Sequence, residues 1–197
     1  MFTDLNISIH DLPEQQTLKD QLHVSRHLQH ATGATWMEQV QHSEVLCNAI
    51  MALISPELYD SGLKAIELIK QGREMAKPHP HQQLWPSIFS GSQIIVNRVT
   101  PPHRDPGGCP TDYDLLVSAG THTKAELSVP ELGVHLSYRP GDVAALSGKL
   151  FMHEVGEWSG GERICVSHYM KDNVHEHLKV PRPNWPRQSD YLSLVGK

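Results

Sequence analysis

The sequence predicts an α+β protein, a jelly roll or β-sandwich buttressed by N-terminal helices, and three observations carry that expectation. Up to about residue 76, apolar residues recur at three- and four-residue spacings, the period of a helix lying on a core. From about residue 83 the pattern shortens into brief β-type runs broken by turn residues. The chain's 197 residues suffice for one domain of ordinary size and fall short of two.

Taken in order, the first two helices run from about Glu14 to His30 and from Trp36 to Leu53, where Met37, Val40, Leu46, Ile50 and Leu53 follow the helical period. Ser55-Pro56-Glu57 starts a further helix, with a capping residue followed by proline at the first helical position. Leu63, Ile66 and Ile69 continue its apolar face to Gly72. Lys77-Pro78-His79-Pro80-His81 reads as an irregular connection. Seven strands follow, at Gln93–Val99, Asp114–Ser118, Ala125–Val129, Val134–Tyr138, Val143–Leu146, Leu150–Val155 and Arg163–Met170. Gly107-Gly108, Glu131-Leu132-Gly133, Pro140-Gly141-Asp142 and Ser159-Gly160-Gly161 punctuate them. The jelly-roll core is expected over residues 83–172 of a single domain, with an extended tail over 173–197.

Composition narrows the function classes. With 39% hydrophobic and 20% charged residues the chain is an ordinary globular one, not a disordered, collagenous or coiled-coil chain. Its net charge of -5 supplies no global field for nucleic acid, so binding there requires a local basic patch. Three dispersed cysteines exclude a disulfide framework or zinc ribbon. The first residues carry neither a basic leader nor an apolar stretch, and no window has the length of a membrane span. A soluble protein of the cytoplasm or nucleus is expected, with no membrane contact and no obligate protein partner.

The chemistry concentrates in Pro102-His103-Arg104-Asp105-Pro106. In extended chain, residues two apart face the same way, so His103 and Asp105 present an imidazole and a carboxylate together. His153, 48 residues beyond Asp105, ends the apolar run Leu150-Phe151-Met152, where a jelly roll can bring a later strand beside an earlier one. Two histidines and one carboxylate leave three positions of an octahedral metal open, which suits Fe(II) better than zinc. Arg163, ten residues further on, offers a planar guanidinium able to grip a distal carboxylate bidentately.

His103, Asp105, His153 and Arg163, with the stretch His153-Glu154-Val155 through Gly161-Glu162-Arg163, resemble the Fe(II)/2-oxoglutarate dioxygenases, whose fold is a double-stranded β-helix (jelly roll). The likeness spans roughly Trp85 to Tyr169. Within that superfamily, Asn97-Arg98-Val99-Thr100 and the aromatic Tyr169 six residues after Arg163 are most similar to the compact Tet/JBP-like nucleobase oxygenases. The resemblance implies His103, Asp105 and His153 as metal ligands, and Fe(II), 2-oxoglutarate and O2 as the cofactor set. It further implies Arg163 and Arg98 as 2-oxoglutarate contacts and Tyr169 stacked on an extruded base. Two positions depart from that group: Lys171 replaces a histidine, and Gly108 stands in a loop that elsewhere carries an acidic residue. The expected prime substrate is a methylated base in DNA or RNA; the alternative is a small metabolite or a protein side chain, and a cupin-like binding module is a third class.

Overall fold

A computed structural model of the chain describes residues 3–8, 22, 24–72, 75, 79–185, 187 and 189. Two long helices precede the main run of strands, α1 (Ala31–Ile54) and α2 (Pro56–Gln71). Pro56 begins α2 where its missing N–H has no partner to lose, and Gly72 ends it in the left-handed region at φ 71°, returning its N–H to Ile69 O at 2.9 Å. The helix expected from Glu14 to His30 falls largely outside the described residues. Its described end is only a 3-10 turn, Arg26–Gln29, because the chain folds back on α1 there: a Cβ at Gly33 would stand 2.8 Å from His27 O.

Among the described residues nine strands occur, one before the helices, β1 (Thr3–Ser8), and eight after them, β2 (Gly91–Val96), β3 (Thr100–His103), β4 (Asp114–Gly120), β5 (Glu126–Val129), β6 (Val134–Ser137), β7 (Val143–Leu146), β8 (His153–Val155) and β9 (Arg163–Tyr169). They pair antiparallel in two sheets, β1-β2-β9-β4-β7 and β3-β8-β5-β6, a jelly-roll arrangement. The expected Leu150–Val155 strand shortens to β8, since Leu150 and Phe151 instead close a turn onto Ser147 O. Residues expected in the extended tail form a third helix, α3 (Asp172–Leu178), which buries Val174 and Leu178 one turn apart and carries Asp172 in its first turn. Residues 190–197 of that tail lie outside the described ones.

Three apolar clusters hold these layers. Ile95, Leu116, Leu127, Tyr138, Val155 and Cys165 fill the space between the sheets. Met51, Leu58, Phe89, Leu115 and Met170 pack α1 and α2 on the outer face of the larger sheet. Leu115 and Leu116, adjacent on β4, therefore bury into different layers, as the two-residue period of a strand demands. A third cluster, with Met37, Ile69, Trp85 and Val174, joins the helices to one another.

One polar contact crosses from helix to sheet. Glu44 of α1 and His168 of β9 are both buried, and Glu44 Oε1 lies 2.7 Å from His168 Nε2. His168 Nδ1 faces Leu115 O at 3.3 Å, so both ring nitrogens meet an oxygen. Removing one member of such a pair leaves the other buried without compensation. Glu44→Ala is expected to cost roughly 3–5 kcal/mol, read as a lower urea midpoint with an unchanged slope. Glu44→Leu combined with His168→Leu is expected to cost less than either single change.

Candidate metal centre and adjoining cleft

The two sheets bring distant residues together at one end of the barrel. Strands β3 and β8 pair so that His103 lies opposite His153, with ring centroids 4.2 Å apart. The register shifts between Thr100 and His103, where Pro101 and Pro102 interrupt the ladder. Asp105 follows β3 directly, and its N–H donates to Gly148 O at 2.9 Å. Its carboxylate reaches both imidazoles: Oδ1 lies 3.5 Å from His103 Nε2 and Oδ2 lies 3.7 Å from His153 Nε2. One ligand atom from each of the three residues falls within 4.8 Å of the others, a group able to hold a metal ion.

The second ring nitrogens favour that use. His103 Nδ1 lies 2.9 Å from Pro101 O and His153 Nδ1 lies 3.1 Å from Phe151 O. Donation from Nδ1–H to a carbonyl fixes the tautomer and leaves each Nε2 lone pair facing Asp105. Burial, together with the neighbouring His103, lowers the His153 pKa, which favours the neutral imidazole that a metal requires. His153 is buried while His103 and Asp105 are more than a third exposed, so the group is closed on one side and open on the other. Arg104, between the two motif residues, donates to Leu150 O at 2.9 Å and pairs with Glu131; Glu131 in turn accepts the Met152 N–H at 2.6 Å. The motif strand is thereby tied to the segment leading into His153.

Arg163 opens β9 and is only 1% exposed. Its Nη1 donates to Arg98 O at 2.9 Å, and its guanidinium lies 5.9 Å from the centroid of the Tyr138 ring. Nε has no hydrogen-bond partner, and no carboxylate among the described residues pairs with it. A buried cation in this state is costly until an anion pairs with it. Asn97, in the left-handed region at φ 52°, accepts the Arg163 N–H on Oδ1 at 2.9 Å and donates its own N–H to Arg163 O at 2.8 Å. Arg98 belongs to the same interior: its charge and that of Arg163 both act on the buried Cys165 thiol, whose pKa burial nonetheless raises.

A cleft of about 970 Å³ has Asp105 in its lining, along with Gln93, Asp114, Ser167, Tyr169 and Lys171. Tyr169 lies against Gly91, where an added Cβ would stand 2.6 Å from the ring. The alternation expected on β9 is seen in these placements: Arg163 and Cys165 approach Tyr138, Ser167 and Tyr169 line the cleft, and His168 turns to Glu44. Arg163 itself is sealed between the sheets and does not line the cleft.

Sequence reading quoted Asn97 in a motif without giving it a role, and gave none to Gly148, Asp112 or Asp114. Gly148 is the tightest point. It accepts from Asp105 N–H and donates to Asp114 Oδ2 at 3.1 Å, and a side chain there would collide with both carboxylates. Asp114 is held well above the usual carboxylate range by burial and then by the charge of Asp105. Asp112, buried with both carboxylate oxygens lacking partners, is pushed up to about 7 by burial and then by Asp172, against the opposing pull of Arg182.

A family model described as the oxygenase domain of the 2OGFeDO superfamily, Tet_JBP, matches residues 10–172. Among solved structures, the chain is similar to NgTET1 in complex with 5mC DNA, at TM-score 0.67 and 13% identity over 98% of this chain and 68% of that one. OsALKBH1 is matched at TM-score 0.34 and 13% identity over 56% of this chain and 60% of that one. A cupin 2 conserved barrel protein from Salinispora arenicola is matched at TM-score 0.31 and 17% identity over 48% and 76%. No protein of curated function matches in sequence. No helix among the described residues is long and apolar enough to cross a membrane.

Two outcomes follow from this packing. Gly148→Ala should overpack the contact between Asp105 and Asp114 and cost roughly 1–3 kcal/mol, measurable by denaturant unfolding. Asp112 binds its proton more tightly folded than unfolded. Its contribution is therefore complete below the unfolded value of about 3.8 and is lost as pH rises through about 7. The difference in unfolding free energy between Asp112→Asn and the parent chain should change across that window and level off outside it.

Proposed function

The chain belongs to the Tet/JBP oxygenase family of the 2-oxoglutarate- and Fe(II)-dependent dioxygenase superfamily, and from that membership we propose that it oxidises the methyl group of a methylated base, of the 5-methylcytosine type, in nucleic acid. It is an Fe(II)- and 2-oxoglutarate-dependent dioxygenase. One observation carries the substrate reading: a cleft large enough for a planar ring is lined by both Asp105 and Tyr169. Similarity in fold to a protein solved with 5mC DNA supports it.

His103, Asp105 and His153 are the residues we assign to the metal. Two imidazoles and a carboxylate, with one ligand atom from each close together, suit an octahedral Fe(II) with open positions, where zinc favours a more closed tetrahedral set. Bound there, Fe(II) supplies with O2 and 2-oxoglutarate the oxidation that turns a C–H bond into C–OH while 2-oxoglutarate leaves as succinate and CO2.

The rest is done by the chain's own groups. Arg163 offers a desolvated guanidinium with an unused Nε–H, a match for the distal carboxylate of 2-oxoglutarate. Arg98 acts beside it as the second cationic contact. The Tyr138 ring and the apolar residues between the sheets exclude water from that end, which strengthens the pairing. Tyr169 supplies an aromatic face at the cleft wall against which an extruded base can stack. Asp105 stands where the metal group and the cleft meet, so a methyl group on a ring held in the cleft is presented to the oxidising centre.

The decisive experiment incubates the chain with Fe(II), 2-oxoglutarate and oligonucleotides containing 5-methylcytosine, following succinate and the mass of the digested bases. Oxidised methylcytosine is expected. Succinate without any oxidised base would transfer the assignment to a small metabolite or a protein side chain. His103→Ala and Asp105→Ala should each abolish succinate formation, and normal turnover in both would overturn the metal assignment. Arg163→Lys keeps the charge but loses the planar fork, and is expected to raise KM for 2-oxoglutarate at least about tenfold.

A further inference from the structure

The lining of the cleft includes two polar side chains, Gln93 and Asp114, to which neither metal ligation nor 2-oxoglutarate contact has been assigned. They come from β2 and β4, the two strands that flank β9 in the larger sheet. Gln93 on β2 is the register partner of Ser167 on β9, and Leu116 on β4 is the partner of Ser167 from the other side. Asp114, two residues before Leu116, shares its face of β4. Gln93 and Asp114 thus flank β9 on either side, and both line the cleft with Ser167 and Tyr169.

Their hydrogen-bonding capacity is unspent. Among the described residues the Gln93 carboxamide has no partner, although it stands half-buried beside apolar Ile95. Asp114 is 5% exposed and uses Oδ2 to accept the Gly148 N–H, which leaves Oδ1 for the cleft. Polar groups facing a partly desolvated cleft cost free energy until they are paired. A carboxamide offers both donors and an acceptor and a carboxyl group offers a second oxygen, so together they fit a ligand with hydrogen-bonding groups along one edge. Tyr169 offers the flat surface that such a ligand would also need.

We propose that Gln93 and Asp114 are specificity-determining residues that hydrogen-bond the edge of the substrate's ring while Tyr169 stacks on its face. The inference rests on the methylated-base reading above and deepens it. The substrate class it selects is a planar nitrogen heterocycle carrying donor and acceptor atoms on the edge remote from the reacting methyl group. A purely aliphatic side chain would leave both groups unpaired. The stacking face and the reading edge come from three adjacent strands, so ring orientation is set by the sheet itself.

The test uses the whole chain with Fe(II), 2-oxoglutarate and a single-stranded oligonucleotide bearing one 5-methylcytosine. Gln93→Met keeps length and removes the hydrogen bonds; Asp114→Asn keeps shape and the contact to Gly148 while changing what faces the cleft. Each is expected to lower kcat/KM for base oxidation roughly 10- to 100-fold, with most of the loss in KM for the oligonucleotide. KM for 2-oxoglutarate, set near Arg163 at the far end of β9, should move less than about twofold. Parent-like kcat/KM in both variants would overturn the proposal while leaving the methylated-base reading intact. An equal rise in both KM values would also overturn it, since that pattern marks general distortion. Succinate release with no oxidised base by the parent chain would overturn the methylated-base reading and this proposal with it.

Discussion

Antiparallel pairing of β3 with β8 is the constraint on which the site depends. It joins segments fifty residues apart and sets His103 opposite His153, so that the two rings meet without either helix layer contributing a side chain. Local bonds then orient what the pairing has gathered. Carbonyls of Pro101 and Phe151, each two residues before its histidine, hold the ring nitrogens that face away from Asp105. Gly148 holds Asp105 by its backbone and Asp114 by its carboxylate, and it can do both because it has no side chain in the way. The histidine pair, the carboxylate and the cleft floor are consequently one mechanical unit.

Strand β9 extends that unit through the molecule. Its inner face carries Arg163 and Cys165 between the sheets and then Ser167 and Tyr169 at the cleft, while its outer face places His168 against Glu44 of α1. Leu115 and Met170 bury beside that contact with Met51 and Leu58 from the helices. Apolar burial supplies the non-directional part of this attachment, and the Glu44–His168 contact fixes its registry, because a shifted helix would strand a buried charge. The helical layer therefore sets the position of the strand that bears the arginine and the aromatic ring.

Much of this was legible from residue patterns, and the exceptions have physical causes. His103, Asp105, His153 and Arg163 stood out because a two-residue spacing, an apolar run and a ten-residue interval coincide, and the structure gathers the first three while burying the fourth. Strands β4 and β7 were visible as short β-type runs bounded by turn residues. β3 was not, because Pro101-Pro102 argues against a strand; proline is tolerated at the edge of a sheet, which is where β3 lies. α3 was missed because its seven residues bury only one short apolar stripe and prolines follow soon after. Gly148 and the Glu44–His168 pair left no local trace at all: each is defined by partners brought close by the fold, 124 residues apart in the second case. Such contacts follow from topology and are invisible to spacing.

The two prolines of β3 have a further consequence. A strand at the border of a sheet ordinarily exposes a row of N–H and C=O groups, a template on which another extended chain can add. Pro101 and Pro102 contribute no N–H, and the register shift beside them breaks the regular repeat of what remains. The border carrying His103 is thus a poor template for aggregation through strand addition, even though the His103 side chain itself is more than a third exposed. The same backbone irregularity that hides this strand from sequence reading protects an accessible reactive edge from its neighbours in a concentrated solution.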